Sequence, residues 1–172
     1  FFVFDLFFWF FMKVIAPADA AAARWATKYA VENYGPIYLR LSREVYPDLY
    51  DENMEFELGR GAIVRDGRDV TVIACGIMVH KAIEAADILA ERGISVRVVD
   101  MYSIKPIDRE LIKQCAEETG AIVCAEEHAG AMTFMFGSAR MKAISSVAWW
   151  LAPSSASDMP QYAPPNLTLR FA

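Results

Sequence analysis

LRLSRE carries Ser42 and Arg43 just past an apolar, strand-like run, a place where an arginine could meet an anion. In α/β sheets ligand crevices form beyond the carboxyl ends of parallel strands. A guanidinium is always charged, and its planar fork fits a phosphate through two parallel hydrogen bonds. Judged on residue type alone, Arg43 is more often a surface ion-pair residue and Ser42 a structural hydroxyl. The neighbouring acids Glu126 and Glu127 invite roles as general acid and base. Adjacent residues on a strand point to opposite faces, so a strand-end cluster facing a domain interface is the favoured reading. His128 follows them, near a subunit interface or the mouth of a site in its functional reading and structural in its bland one. His80 stands at the start of a helical pattern and reads as a surface residue. Gly76 precedes that helix start, where an anion can bind, but one glycine carries little weight.

Metal and thiol chemistry find less support. Two histidines and no clustered ligands leave metal-binding spacing absent. Cys75, Cys115 and Cys124 are odd in number and too far apart for a CxxC pair. Cys75 and Cys124 lie in the apolar stretches VTVIACG and AIVCAEE, where a thiol behaves as a small hydrophobe. The expectation is a reduced, cytoplasmic protein.

The elements that must position these residues are legible from patterning. MKVIAP is a short strand ended by Pro17. Asp19 then offers an N-cap to the Ala-rich run AAAARWATKYAVENY, and Gly35 stops it. PIYLRLS has strand length and strand composition, so residues 12–42 form a β-α-β unit. Residues 45–60 lose periodicity, gather acids and contain Pro47, as a linker or long surface excursion does. GAIVRDGRDVTVIAC has a hairpin-like start, with a turn at Arg65 to Arg68 around Asp66 and Gly67. A helix follows with Val79, Ala82, Ile83, Ala86, Leu89 and Ala90 on one face and Gly93 past its end. ISVRVVD is a strand, and Asp108 caps a second helix with Leu111, Ile112, Cys115 and Ala116 on its apolar face. AIVCAEE is the next strand. Strand and helix alternating at this spacing require an α/β fold with a parallel sheet and right-handed crossovers.

With 172 residues, 55% hydrophobic and 23% charged, the chain holds one domain, or one plus part of another. A net charge of −5 with dispersed Lys and Arg gives no nucleic-acid signal. The aromatic start FFVFDLFFWFF is too short to span a bilayer, which takes about 20 residues, and lacks the marks of a signal peptide. It reads as a buried strand, an interface segment or, as the favoured expectation, residues not securely assigned. After His128, AGAMTFMFGSARMKAISSVAWWLA has room for one more strand and helix, and SSASDMPQYAPPNLT is a Pro/Ser-rich tail.

MKVIAPADA, GPIYLRLSRE, DVTVIACGIMVHKAIEAA, VRVVDMYSIKPID and ETGAIVCAEEH together, in order and spacing, resemble the transketolase family. The match covers Met12 to His128. It implies the end of a three-layer α/β pyrimidine-binding domain (residues 1–55), then a smaller α/β C-terminal domain with a mostly parallel sheet (residues 56–172). The implied activity is transfer of a two-carbon ketol unit between sugar phosphates, with thiamine diphosphate held through Mg²⁺ or Ca²⁺. The resemblance assigns Arg43 to the substrate phosphate. It also implies a homodimer, or a complementary subunit carrying the cofactor site; charge and segment length separately argue against a nucleic-acid or membrane partner. The family's activating glutamate and its GDG-type metal and diphosphate ligands have no counterpart here, so the chain is expected to be a fragment or subunit. MVHKA-type blocks also occur in 2-oxo-acid dehydrogenase β subunits, and a deoxyxylulose-phosphate synthase is a further relative. A non-catalytic dimerisation or regulatory module is the remaining alternative for residues 61–172.

Overall fold

The computed structural model describes residues 11–127. His128, the tail and nearly all of the aromatic start lie outside those residues.

β1 (Lys13–Ile15), α1 (Ala20–Glu32) and β2 (Ile37–Leu39) form the expected strand-helix-strand unit, with β1 parallel to β2 and Val14 opposite Tyr38. Asp19 caps α1: its Oδ1 accepts from the Ala22 N–H at 2.8 Å, satisfying a donor that a helix start leaves without a partner. The helix ends where Asn33 N–H returns to the Tyr29 carbonyl at 3.0 Å. Gly35 then turns the chain at φ +120°, a conformation that favours glycine.

The second sheet holds β3 (Ala62–Arg65), β4 (Val70–Ala74), β5 (Val96–Asp100) and β7 (Ile122–Ala125), in the order β3-β5-β4-β7. β4 is parallel to β5 and β7, and β3 closes one edge antiparallel to β5. α2 (Met78–Ala90) links β4 to β5, and α3 (Arg109–Glu118) leads into β7. This is the mixed, mostly parallel α/β arrangement that the alternation of strands and helices predicts.

The expected hairpin is corrected: β3 and β4 do not pair, because β5 lies between them. The Asp66–Gly67 turn passes over the start of β5 instead. A Cβ at Gly67 would fall 2.2 Å from the Val96 carbonyl carbon and 2.3 Å from the Arg97 nitrogen. Asp69 N–H donates to the Ser95 carbonyl at 2.9 Å, and Ser95 N–H to Asp69 Oδ2 at 2.7 Å. The same Asp-Gly pair that suits a tight hairpin also permits this close crossing.

Strand alternation splits the core into two layers. Ala74, Val96 and Val98 pack on α2 through Met78, Val79, Ala82 and Ala86. Ile73, Val99 and Ile122 pack on the opposite face against Cys115, with Leu111 and Ile112 beside it. Ala90 and Ala116, expected on the apolar faces, are exposed at the margins. Each fully buried Ile or Val contributes roughly 1.5–3 kcal/mol relative to exposure, so the two layers dominate the stability of this half.

The two sheets are joined by a strand the sequence reading missed. β6 (Ser103–Lys105) returns from the second sheet to pair antiparallel with β1. The 45–60 segment, far from wandering free, is pinned to both. Asp19 Oδ2 accepts the Leu49 and Tyr50 N–H groups, each at 2.9 Å. Phe56 packs among Trp25, Tyr50 and Tyr102 with ring centroids 5.0–5.6 Å away.

Candidate functional site

The carboxyl ends of the strands in both sheets meet. Arg40 N–H donates to the Ile15 carbonyl at 2.9 Å, Ala16 N–H to Tyr102 O at 2.8 Å, Gly76 N–H to Ala16 O at 3.2 Å, and Met101 N–H to Ala74 O at 2.8 Å. These bonds bring the ends of β1 and β2 against those of β4 and β5. Into this seam β2 sends Arg40, β4 sends Cys75 and β7 sends Glu126.

Arg40 is the arginine that residue-by-residue reading passed over. Its Nη1 donates to Glu126 Oε1 at 2.6 Å and its Nη2 approaches Cys75 Sγ at 2.9 Å. The two charged side chains are only 10% and 2% exposed. Burial alone would disfavour the charged guanidinium, yet the Cys75 sulfur and the Glu126 carboxylate reverse that effect and hold its pKa above the ordinary arginine value. Burial pushes the Cys75 thiol up to about 12, only partly offset by Arg40. At neutral pH it is a thiol that accepts, not a nucleophilic thiolate. A signal for Arg40 existed: an arginine in an otherwise apolar strand needs a buried counter-charge, and the acid pair ending AIVCAEE supplied one.

Past Arg40 the chain rises in an arch to Tyr46. Arg43 lies midway, exposed, and makes no hydrogen bond or ion pair among the described residues. Ser42 Oγ accepts from the Glu44 N–H at 3.1 Å, closing a turn around Arg43, which is the local role its residue type favours. Tyr46 donates its hydroxyl to the Glu44 carboxylate. Removal from water and that carboxylate together push the Tyr46 phenol up to about 12, so the hydroxyl keeps its proton. The Tyr46 ring stacks on His80, with centroids 4.7 Å apart at 21°. His80, in the first turn of α2, lies 2.8 Å through Nε2 from the Ala18 carbonyl. Expected as a surface residue, it is half-buried and engaged at both the ring face and the ring nitrogen.

Other candidates separate from this arch. Glu126 faces the junction between the sheets, in line with the strand-end reading of the acid pair. Glu127, the next residue, is half-buried. His128 lies outside the described residues. The amides near Gly76 are already used: Gly76 N–H bonds Ala16 O, and those of Met78, Val79 and His80 bond Cys75, Gly76 and Ile77. Those four amides are not available to an anion. Surface hollows run along the outer face of α1 and between residues 54–61 and α3, and neither is lined by Arg43. Among the described residues no group of His, Cys, Asp and Glu is arranged to hold a metal ion. No helix there is long and apolar enough to cross a membrane.

A buried carboxyl lies behind the arch. Asp100, at the end of β5, is wholly buried and accepts the Tyr50 hydroxyl at 2.8 Å through Oδ2. Its Oδ1 finds no partner. Burial, with a contribution from the Asp19 charge and against the Tyr50 hydrogen bond, pushes its carboxyl up to about 8.

Residues 59–162 match the family model described as the transketolase C-terminal domain. The chain is similar to one subunit of the apulose-4-phosphate transketolase of Phocaeicola vulgatus, 44% identical over 118 residues that make up 68% of this chain and 38% of that protein. It is 42% identical over 137 residues to a 1-deoxy-D-xylulose-5-phosphate synthase of Geobacter sulfurreducens, covering 78% of this chain and 21% of that one. A solved structure titled as a split gene transketolase, inactive beta4 tetramer, superposes with a TM-score of 0.73 at 44% identity, over 79% of this chain and 48% of that chain. The chain therefore spans less than half the length of each of these relatives.

Proposed function

The chain belongs to the transketolase C-terminal domain family, and from that premise we propose that it is the carboxyl-terminal part of a thiamine-diphosphate-dependent transketolase. Residues 1–55 are then the end of the pyrimidine-binding domain and residues 56–172 the C-terminal domain. The reaction is transfer of a two-carbon ketol unit from a ketose phosphate to an aldose, in the cytoplasm. The described residues do not fit the cofactor's metal, because no group of His, Cys, Asp and Glu converges among them. With no GDG-type motif in the sequence, thiamine diphosphate and its Mg²⁺ or Ca²⁺ are proposed to be held by other polypeptide, in a complementary subunit or in a homodimer of a longer chain. Relatives that are themselves named as parts of a split enzyme support the first arrangement.

The observation that carries the reading at this chain's own residues is Arg43. It has no counter-ion among the described residues and stands on an arch at the carboxyl ends of parallel strands. A guanidinium so placed binds the substrate phosphate through two hydrogen bonds and orients the sugar toward a cofactor held elsewhere. His128, outside the described residues, is retained as a second candidate, and Ser42 as the residue that shapes the turn around Arg43.

The test is kinetic. With the cofactor-bearing polypeptide present, Arg43→Ala raises KM for a phosphorylated ketose far more than for the unphosphorylated sugar. Equal effects on both substrates discard the phosphate role. A second reading, deoxyxylulose-phosphate synthase chemistry, draws on the 42% identity to such an enzyme. Formation of deoxyxylulose phosphate and CO₂ from pyruvate and a triose phosphate, without ketol transfer, would establish it in place of the first.

A further inference from the structure

We infer that Glu126 and His80, both supplied by the second sheet and its helices, are positioning residues that set the Arg43 arch for substrate phosphate. The inference rests on the proposed role of Arg43. It gives the second sheet and its helices a part in substrate recognition.

The arch cannot hold its own shape. β2 ends at Leu39, and among the described residues 41–50 make no backbone–backbone hydrogen bond. Beyond Tyr46 the Asp19 carboxylate holds the Leu49 and Tyr50 N–H groups; nearer Arg43 the form is fixed by side chains at two points, each three residues away. On one side Arg40 is locked by Glu126 and Cys75, at 2.6 and 2.9 Å. On the other, Tyr46 lies on the His80 ring at 4.7 Å, and His80 Nε2 is fixed at 2.8 Å from Ala18 O. Within the span, the Ser42–Glu44 turn and the Tyr46–Glu44 bond carry the constraint inward from both ends. Glu126 and Cys75 end strands β7 and β4, and His80 opens α2, so both supports come from the same layered unit.

The physical consequence follows from how phosphate is bound. Two parallel hydrogen bonds from one guanidinium require its position and its plane to be set in advance. An arch free to move would leave the charge of Arg43 but lose its geometry. Loss of either support therefore weakens binding of a phosphorylated substrate specifically, whereas loss of a merely structural contact would lower stability and act on all substrates alike.

The experiment uses the complete enzyme, this chain with its cofactor-bearing polypeptide, assayed with a ketose phosphate and the corresponding unphosphorylated ketose. The quantity read is the ratio of the two kcat/KM values for Arg43→Ala, His80→Ala, Glu126→Gln and the double variant H80A/R43A, with Tm measured for each. Expected is a fall in the ratio of at least five-fold for His80→Ala and for Glu126→Gln, carried by KM rather than kcat. In the Arg43→Ala background His80→Ala changes the ratio less than two-fold, because there is no longer a guanidinium to position. Should Glu126→Gln not fold, His80→Ala, at a half-buried site, carries the decision alone. An unchanged ratio in His80→Ala while Arg43→Ala lowers it overturns the positioning role and leaves the phosphate reading standing. Losses that multiply in the double variant, or that fall equally on both substrates, also overturn it. An unchanged ratio in Arg43→Ala removes the phosphate reading and this inference with it.

Discussion

Asp100→Asn should change the pH dependence of stability more than any other single substitution in the described chain. The Asp100 carboxyl is wholly buried, has one hydrogen bond, from Tyr50, and has an Oδ1 without a partner. An ionised carboxylate there would be a buried charge with no cation, and its pKa accordingly rises from the ordinary 3.8 to about 8. The folded value lies above the unfolded one, so the favourable contribution is fully present below about pH 4 and is lost as pH rises toward 8. The interval, 8 − 3.8, is about 4 pH units. At about 1.4 kcal/mol per unit this amounts to about 5 kcal/mol, an upper figure because solvent entry and relaxation reduce it. Asparagine keeps the acceptor for Tyr50 and cannot ionise. The assay is urea unfolding of the full chain at half-unit steps from pH 5 to 9, taking the difference between variant and parent. The variant should gain on the parent steadily up to pH 8 and level off above it. A difference that stays flat across that range would mean Asp100 is already ionised in the fold, and the reasoning from burial would be wrong.

Two further substitutions probe the frame that holds the site. Gly67→Ala would drive a methyl into the Val96 and Arg97 backbone at 2.2–2.3 Å, and because backbone cannot give way the loss should be about 3 kcal/mol or more in urea unfolding. Gly93→Ala, at φ +78° with open space around it, should lose only about 1 kcal/mol, and equal losses at the two sites would contradict the crossing described for the Asp66–Gly67 turn. Glu126→Ala strands the Arg40 guanidinium in the junction and should cost roughly 3–5 kcal/mol, most of which the double replacement Arg40→Met with Glu126→Leu restores. A double variant no more stable than the single would show that the pair is needed for more than charge compensation.

The fold was largely legible because its signals are local. Asp19 and Asp108 cap the helices they were expected to cap, with their carboxylates 2.8 and 2.9 Å from the N–H groups of Ala22 and Leu111. The faces of α2 and α3 follow helical spacing, and alternation along β4 and β5 sorts residues onto the two core layers. What failed was pairing. The Asp66–Gly67 turn announces a change of direction but not which strand comes to lie between β3 and β4, since register between distant strands is decided by packing. β6 was missed for a related reason: three residues carry almost no periodicity, and Ser103–Lys105 is a strand only because β1 offers an edge. Of the candidate site, Arg43 was singled out through the family resemblance and Ser42 as its neighbour, since residue type alone favours a surface ion pair and a structural hydroxyl. Arg40, Glu126, Tyr46 and His80 form their pairings over 34–86 residues of sequence; the lone arginine after an apolar strand and the acid pair ending another hint at the first, and nothing local marks the second.

The most direct test of the central claim is a crystal structure of the assembled enzyme with a ketose phosphate bound. The account predicts the phosphate at the Arg43 guanidinium, held through two hydrogen bonds of about 2.8 Å, with the Arg40–Glu126 and Tyr46–His80 contacts intact beneath it. A phosphate bound elsewhere, with Arg43 left in solvent, would contradict it.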